Sequence, residues 1–534
     1  MPSAKGDDLM VSPVSSSKHK PATDSLLMLL VVCAGVAMWI DLGTLHRYYN
    51  GDALIPILVS LYHWTPFYWG QNRLGMLLPL LATPFRNPLT NLLVQMGLST
   101  FAALVSMCLL ARYTLPRGLW QLAALLSAAG FLALAPVWMR FEILAVQPYG
   151  LSFALALGGL SLLEHPHGWQ SRWRAATALV LLLLAHWVNF AMAVLCPALV
   201  LLRWRIQALG AARPAAPAGL PQPRLGWRLG KPYVELVQSD IGRDLVLLVI
   251  VTATGLAFSF AASDDVRQRF TPPQEWPMAW VHLAESTWRT FASREWLVFQ
   301  LTTPLAAAAL LIGLPRLRAA ARPALYAGLF LALVALSYAG VIASTTHAKR
   351  NDYAYRYLIP SLLLLQSASA VVAVSPLAAV LQRQARVVRW LTPAGMLGLW
   401  AAAIIGFGLP SLTGVRQDID RQFGQRTAEL LAANCTHIAG NYWDVWPAMF
   451  HANLVLYERG ETRVLWGLSY RSSATQALWS HIPLDKVRVG VPLHDKEADG
   501  YLKAYHFPAM VEVEQHQTIV VLQPASRLPM NAAH

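Results

Sequence analysis

The chain has 534 residues, of which 56% are hydrophobic and only 13% charged, and its mean hydropathy is +0.42. This composition excludes a soluble, disordered, collagen-like or disulfide-rich secreted chain and indicates a membrane protein. The formal net charge of +14 does not indicate a nucleic-acid-binding protein, because residues 411–534 hold 11 Lys and Arg against 12 Asp and Glu, so that the excess lies in the apolar part.

Residues 1–24 are polar and Ser-rich and are expected to form a disordered cytoplasmic N-terminus. Residues 25–410 contain apolar runs, several of them near the ~20 residues that a membrane-spanning helix needs. They predict eleven transmembrane helices, at 25–40, 89–110, 119–137, 149–163, 175–187, 190–203, 244–261, 297–314, 324–345, 357–380 and 391–410.

The distribution of basic residues predicts the orientation of these helices. With a cytoplasmic N-terminus, the inner loops carry 19 Lys and Arg, against about 11 in outer loops of similar total length. This bias favours an external, periplasmic C-terminus. It also leaves more Arg in the outer loops than orientation alone would select.

The apolar stretch 175–203 has a pair of Arg at each end, and one straight helix cannot bring both pairs to the cytoplasm. We therefore expect two short helices that turn at residues 186–189. His186 and Asn189 in this turn would either line a cavity near the site or form a hydrogen bond between helices. The Pro-rich segment 204–243 that follows is predicted to be a cytoplasmic linker.

Residues 411–534 change to mixed polar sequence with strand-like runs at 463–466 and 518–522, which predicts a small external α+β domain. The segment 441–447 places Trp443 and Trp446 around Asp444. This arrangement would suit a saccharide platform, although the Trp-rich core of a small domain is the favoured interpretation.

The sequence contains no Walker phosphate loop, dinucleotide fingerprint, HExxH or paired CxxC. The sequence therefore lacks the motifs that would best indicate ATP-driven transport or redox chemistry, and no cofactor is predicted with certainty. The ionisable residues at the predicted outer boundary of the membrane remain as candidates, because such groups are costly there unless they are paired, hydrated or functional.

The first external loop, 41–88, is the richest of these regions. Asp52 follows Asn50-Gly51 and is expected at a helix start, where it would act either as a simple N-cap or as a base that accepts a proton. Asp41 is the weaker second candidate. Gln71 and Arg73 lie later in the same loop and are candidates for binding the substrate and the donor phosphate, respectively.

A second cluster precedes the tenth predicted helix, in the segment 347–360. It contains His347, a candidate substrate ligand, and the candidate phosphate-binding residues Lys349, Arg350, Arg356 and Tyr357. Arg offers a planar fork of donors that suits phosphate. Each cation taken singly would also serve as an anchor to lipid headgroups, but for the cluster as a whole we favour a functional role.

Two other external segments carry charge. Asp264 and Asp265, in the loop 262–296, are candidates for substrate binding or for a divalent cation, although adjacent carboxylates at a helix end usually face water. The Trp residues of this loop suit an interfacial belt. Arg140 and Glu142 are expected to form an ion pair rather than a site.

The layout resembles that of the GT-C glycosyltransferase superfamily. A first helix is followed by a long external loop with an acidic residue before an amphipathic helix, then by further spans and a soluble tail. The loop sequence FYWGQNRLGMLLPL and the core Arg356-Tyr357 with Pro360 are similar to those of family members, which include protein O-mannosyltransferases and lipid A aminoarabinose transferases. The resemblance implies a polyprenyl-phosphate sugar donor, inversion at the sugar, and Asp52 as the catalytic carboxylate.

We therefore expect an inverting glycosyltransferase of a bacterial inner membrane. It would move a monosaccharide from a polyprenyl-phosphate carrier to a periplasmic lipid, glycan or protein. One alternative is a polysaccharide polymerase or O-antigen ligase that uses a polyprenyl-pyrophosphate glycan. A less favoured alternative is a transporter or lipid flippase, which the long external loops and the soluble tail disfavour.

Overall fold

The structure is a computed structural model of the chain. It describes residues 23–71, 74–115, 119–145, 148–164, 169, 171–211, 240–261, 270–290, 296, 300–301, 304, 322–375 and 385–525.

Helices make up most of the described chain before residue 411. They are α1 (Thr23–Asp41), α2 (Gly51–Leu61), α3 (Leu77–Ala82), α4 (Pro88–Thr114), α5 (Trp120–Leu134), α6 (Val137–Leu144), α7 (Pro148–Leu163), α8 (Arg172–Val188), α9 (Met192–Ala211), α10 (Asp240–Ala261), α11 (Trp276–Thr290), α12 (Arg322–Ala343), α13 (Thr346–Arg350), α14 (Ile359–Val374) and α15 (Ala385–Phe407). Short 3-10 turns at Leu45–Tyr48, Pro273–Glu275 and Tyr355–Leu358 precede α2, α11 and α14.

The predicted apolar runs coincide with helices wherever the structure describes them, and only the run 297–314 lies almost wholly outside the described residues. By length and composition, four described segments could each cross a membrane: Pro88–Thr114, Ala324–Ala343, Tyr355–Val374 and Thr392–Ala432. The bent pair α6 and α7 would make a fifth. The other apolar helices are shorter, so the total of eleven crossings stays a prediction.

Helix α4 lies at the centre of the helical part and packs against α1, α5 and α7. Its contact with α7 is close because Gly150 has no side chain. A Cβ at Gly150 would lie 2.5 Å from the Cα of Ala103, inside any permitted contact. Small residues at such crossings let two helices approach closely, as is usual where apolar lipid removes the hydrophobic drive for helices to associate.

The predicted interruption of the stretch 175–203 is present between α8 and α9. The end of α8 contacts the loop that follows α2. The Trp187 indole N–H donates to the Pro66 carbonyl at 2.9 Å, and the Gly75 N–H donates to the Trp187 carbonyl at 3.0 Å. The break therefore holds the loop between α2 and α3.

The predicted C-terminal α+β domain is present within the described residues up to 525, and its sheet has the strand order β2-β1-β3-β5-β4. Strand β1 is parallel to β2 and β3, whereas β5 is antiparallel to β3 and β4. The elements are α16 (Leu412–Ala432), β1 (His437–Ala439), α17 (Tyr442–Glu458), β2 (Trp466–Leu468), α18 (Gln476–Trp479), β3 (Val489–Pro492), α19 (Ala498–Ala504), β4 (Met510–Gln515) and β5 (Ile519–Pro524).

The carboxyl ends of β1 and β2 lie at the same edge of the sheet because the two strands are parallel. The chain leaves β1 through Gly440 and Asn441 into α17, and it leaves β2 through Ser469 towards Arg471. Helix α17 packs against α2 of the helical part. This edge of the domain therefore meets the first loop.

His437 begins β1 and is buried against Trp479 and Phe507. Burial lowers the pKa of His437 to about 3. In the unfolded chain the same imidazole binds a proton near its ordinary pKa of about 6.5. The unfolded state therefore binds more protons between these two values, and stability falls as the pH drops through this interval.

We expect acidification from pH 7.5 to 5 to cost this domain about 2 kcal/mol through His437 alone. The measurement is thermal or denaturant unfolding of the full protein at both pH values, for wild type and for His437→Gln, in which the titration is removed. The control is His481→Gln, at an exposed histidine of the same domain. An equal pH dependence in wild type and His437→Gln would contradict the expectation.

Candidate active site

Asp52 lies in the first turn of α2, and Asn50 is the residue that caps this helix. The Ala53 backbone N–H donates to the Asn50 side-chain oxygen at 3.2 Å. The interpretation of Asp52 as a simple N-cap is therefore wrong. Its carboxylate gains the favourable field of the helix start while both oxygens stay available for other partners.

Arg356 is the first of these partners, 304 residues further along the chain. Its Nη1 donates to Asp52 Oδ2 at 3.2 Å, and its Nη2 donates to the Tyr357 hydroxyl at 3.3 Å. The two charged side chains are 31% and 32% exposed, so water still reaches the pair. The guanidinium stands at the 3-10 turn that leads into α14, where Pro360 occupies the first helical turn.

Tyr442, the first residue of α17, is the second partner. Its hydroxyl donates to Asp52 Oδ1 at 2.6 Å, and the Tyr68 hydroxyl lies 2.9 Å from the Tyr442 hydroxyl. Burial raises the pKa of both tyrosines well above the ordinary value, so they stay protonated and act as donors. Asp52 therefore has a donor at each oxygen, one from the helical part and one from the C-terminal domain.

Arg471 adds a second cation beside these groups. Its Nη1 donates to the Trp69 carbonyl at 2.7 Å, and its Cζ lies 4.6 Å from the centre of the Tyr68 ring and 5.7 Å from that of Tyr442. Cations over tyrosine faces are held by the ring quadrupole. Arg471 therefore ties the C-terminal domain to the loop that follows α2.

Glu142 in α6 lies within electrostatic range of Asp52 and Arg356 and adds a second carboxylate to the cluster. The predicted ion pair between Arg140 and Glu142 is wrong. The Arg140 Nη1 instead donates to the carbonyls of Leu132 and Gly406, at 3.0 and 3.1 Å. These carbonyls belong to helix ends, where unpaired backbone acceptors are available.

The other candidate residues of the segment 347–360 make none of the contacts described for Asp52. Lys349 forms an exposed ion pair with Glu275 at 2.8 Å, and Arg350 is exposed. The His347 ring lies edge-on to Tyr357 at 5.1 Å between centroids. Of the predicted phosphate ligands, the structure thus brings Arg356 to Asp52 and Tyr357 to Arg356, and His347 packs against Tyr357.

The candidates at the α8 break have local partners. His186 Nδ1 lies 2.8 Å from the Leu182 carbonyl, and its Nε2 lies 3.3 Å from the Thr252 hydroxyl of α10. Asn189 accepts from the Ala191 N–H at 3.0 Å. These contacts correspond to the hydrogen bond between helices that was one of the two expectations for this turn.

Asp41 ends α1 and is buried near Gly97 of α4, and no hydrogen bond or ion pair within the described chain joins it to the Asp52 cluster. Gln71 follows the turn Tyr68–Gly70, and its N–H donates to the Tyr68 carbonyl at 2.9 Å. Arg73, Asp264 and Asp265 lie outside the described residues.

The predicted binding of a divalent cation by Asp264 and Asp265 therefore stays a prediction. Among the residues that the structure describes, no three His, Cys, Asp or Glu side chains are grouped so as to hold a metal ion.

In the segment 441–447, Trp446 is fully buried and packs against Trp69 at 5.7 Å, as a domain-core residue would. Asp444 pairs with Arg426 at 2.6 Å. In this segment the sequence pattern singles out Trp443 and Trp446 but not Tyr442. It likewise does not identify Tyr68 or Arg471, which lie elsewhere in the chain, as site residues. Two local features of the sequence could have indicated these residues, namely the aromatic content of the first loop and the position of Arg471 just after a strand.

No protein family model matches the chain, and no curated protein matches it. Among solved structures, the chain is similar to the crystal structure of ArnT from Cupriavidus metallidurans bound to undecaprenyl phosphate, with 13% sequence identity and a TM-score of 0.45. The match covers 95% of this chain and 99% of ArnT.

We expect Arg471→Gln to loosen the contact between the C-terminal domain and residues 62–71. The substitution removes both the charged donor to Trp69 and the cation over Tyr68, at a cost of about 1–2 kcal/mol, or roughly 5- to 30-fold in the local opening equilibrium. Hydrogen exchange of peptides from this loop measures the change. Arg459→Gln, at an exposed arginine of the same domain, is the control. Identical exchange in both variants would show that Arg471 does not hold the contact.

Proposed function

We propose that the protein is an inverting glycosyltransferase of a bacterial inner membrane that takes a monosaccharide from a polyprenyl-phosphate carrier. The observation that carries the proposal is the Asp52–Arg356 pair, a partly exposed carboxylate at 3.2 Å from a guanidinium. Transfer from a sugar phosphate to a hydroxyl needs a base for the hydroxyl proton and a cation for the departing phosphate. This pair offers both.

In the proposed reaction, Asp52 accepts the proton of the acceptor hydroxyl as its oxygen attacks the anomeric carbon. The bond from that carbon to the phosphate oxygen breaks, and its electron pair leaves with the polyprenyl phosphate. Attack on the face opposite the phosphate inverts the configuration. Asp52 lies in the first turn of α2 with the Arg356 guanidinium beside it, so both the base and the phosphate ligand are in place before this step.

Arg356 is the proposed ligand of the departing phosphate. Its guanidinium has five N–H donors in a fixed fork. The structure describes hydrogen bonds from this group to Asp52 and to Tyr357. The remaining donors suit phosphate oxygens, and a fixed cation at a developing negative charge stabilises the transition state. Tyr357 holds the guanidinium from the other side, with Cζ 5.3 Å from its ring centre.

The apolar helices around the site suit a polyprenyl chain, and the excess of basic residues in the predicted inner loops supports a periplasmic location for the site and the C-terminal domain. The acceptor is a periplasmic lipid, glycan or protein. Its hydroxyl would approach Asp52 from the side of the C-terminal domain, which supplies Tyr442.

The first experiment is mass spectrometry of polyprenyl lipids from a strain that lacks the protein, complemented with wild type, Asp52→Asn or Asp41→Asn. We expect a polyprenyl-phosphate monosaccharide to accumulate and to be cleared by wild type and by Asp41→Asn. Asp52→Asn should fail to clear it, because loss of a general base lowers the rate by about 10²–10⁴-fold.

Full clearance by Asp52→Asn, at equal expression, would refute the assignment of the base. Accumulation of pyrophosphate-linked oligosaccharides would support the polymerase or ligase instead. If no lipid changes, transport becomes the better explanation, and flux measurements in vesicles would test it.

Arg356→Gln is expected to lower transfer by about 10²-fold, since a neutral amide cannot offset the charge of the departing phosphate. The assay is conversion of the accumulated donor lipid by purified protein. Arg421→Gln, at an arginine that is 71% exposed in the C-terminal domain, serves as the control. Equal rates for Arg356→Gln and wild type would exclude Arg356 as the phosphate ligand.

A further inference from the structure

Both oxygens of the Asp52 carboxylate are engaged in this structure. Oδ1 accepts from the Tyr442 hydroxyl at 2.6 Å, and Oδ2 accepts from Arg356 at 3.2 Å. A carboxylate that takes a proton from an acceptor hydroxyl must first accept a hydrogen bond from that hydroxyl. Each oxygen has a second lone pair, and an acceptor hydroxyl can also reach the carboxylate by replacing one of the two present donors.

Tyr442 is the donor that an acceptor can replace. Tyr442 contacts the carboxylate through one neutral hydroxyl. Arg356 contacts it through a charged group, so replacing Arg356 would also remove the ion pair. An acceptor hydroxyl offers the same kind of donor as the phenol. The exchange at Oδ1 therefore conserves the number and type of hydrogen bonds, and exchange at Oδ2 would not.

We propose that the Tyr442 hydroxyl holds the place of the acceptor hydroxyl on Asp52 Oδ1 and leaves it when an acceptor arrives, so that the C-terminal domain keeps water from being activated at this oxygen. This inference rests on the proposed function. It makes Tyr442 a positioning residue that favours transfer over hydrolysis of the donor.

The surroundings of Tyr442 fit this role. A Cβ on Gly51 would lie 2.8 Å from the Tyr442 ring, so only glycine lets the ring rest against the start of α2 beside Asp52. Tyr442 reaches this place from the end of β1, and Asn441 before it is held by a 2.6 Å bond from its N–H to Asp495. The position of the phenol is thus set by the sheet of the C-terminal domain.

Tyr68 offers the phenol an alternative partner. The two hydroxyls are 2.9 Å apart, and because Tyr442 gives its only proton to Asp52, Tyr68 is the donor between them. When an acceptor takes Oδ1, the Tyr442 hydroxyl can keep its bond to Tyr68. Tyr68 also lies 3.5 Å from Oδ1, so it partly covers Asp52 if Tyr442 loses its hydroxyl.

The reaction that Tyr442 would suppress is hydrolysis. Water would give a proton to Asp52 and its oxygen to the anomeric carbon, the bond to the phosphate oxygen would break, and free sugar and polyprenyl phosphate would result. This reaction wastes the donor and needs nothing beyond water and the proposed base.

The test uses purified full-length protein and the polyprenyl-phosphate monosaccharide fraction extracted from the strain that lacks it, with no acceptor added. Release of polyprenyl phosphate is followed by mass spectrometry. We expect Tyr442→Phe to hydrolyse the donor about tenfold faster than wild type, the gain that corresponds to removing one hydrogen bond from a charged group. The double variant Tyr68→Phe/Tyr442→Phe should be faster again.

Tyr457→Phe is the matched control, because it removes a hydroxyl from an exposed tyrosine of the same helix α17. It should hydrolyse the donor at the wild-type rate. Asp52→Asn in the Tyr442→Phe background should abolish the gain. A variant that merely folds poorly would hydrolyse less donor, so a gain in rate cannot come from damage.

Hydrolysis by both Tyr442→Phe and the double variant at or below the wild-type rate, while wild type still clears the donor in cells, would overturn the inference and leave the proposed function standing. A gain that persists without Asp52 would also overturn it. If wild type neither clears nor hydrolyses the donor, the proposed function fails and the inference fails with it.

Discussion

The site depends on one constraint, which is that a carboxylate beside an apolar helix bundle must be surrounded by hydrogen-bond donors. Asp52 meets this requirement with the N-terminal field of α2, the guanidinium of Arg356 and the hydroxyl of Tyr442. These three groups come from widely separated parts of the chain. Holding one carboxylate therefore fixes how the first loop, the start of α14 and the C-terminal domain lie against each other.

The C-terminal domain takes part in this arrangement through the edge of its sheet. Parallel strands β1 and β2 end side by side, and the residues that follow them, Tyr442 and Arg471, both reach the first loop. The carboxyl edge of parallel strands is the usual place for functional groups in open sheets. Here that edge faces another part of the same chain, so that the domain closes a site whose Asp52 and Arg356 belong to the helical part.

Much of the architecture could be predicted because it follows from local patterns. Apolar runs marked the helices, the pair of basic ends around 175–203 marked the break after α8, and the change in composition at residue 411 marked the α+β domain. The pairing of charged side chains was predicted less well. Arg140 and Glu142 are close in sequence but do not pair, because Arg140 donates to the carbonyls of two helix ends and Glu142 lies within electrostatic range of Asp52 and Arg356.

The sequence by itself determined that the chain is apolar and helical. It also drew attention to Asp52 and Arg356, since an acid at a helix start and a cluster of cations before a predicted helix are recognisable from neighbouring residues. Only the tertiary structure decided that these two side chains meet across 304 residues and that Tyr442 and Arg471 complete the site. The physical reason is that helix and strand formation depends on residues a few positions apart, whereas contacts between distant residues depend on how whole helices and sheets pack.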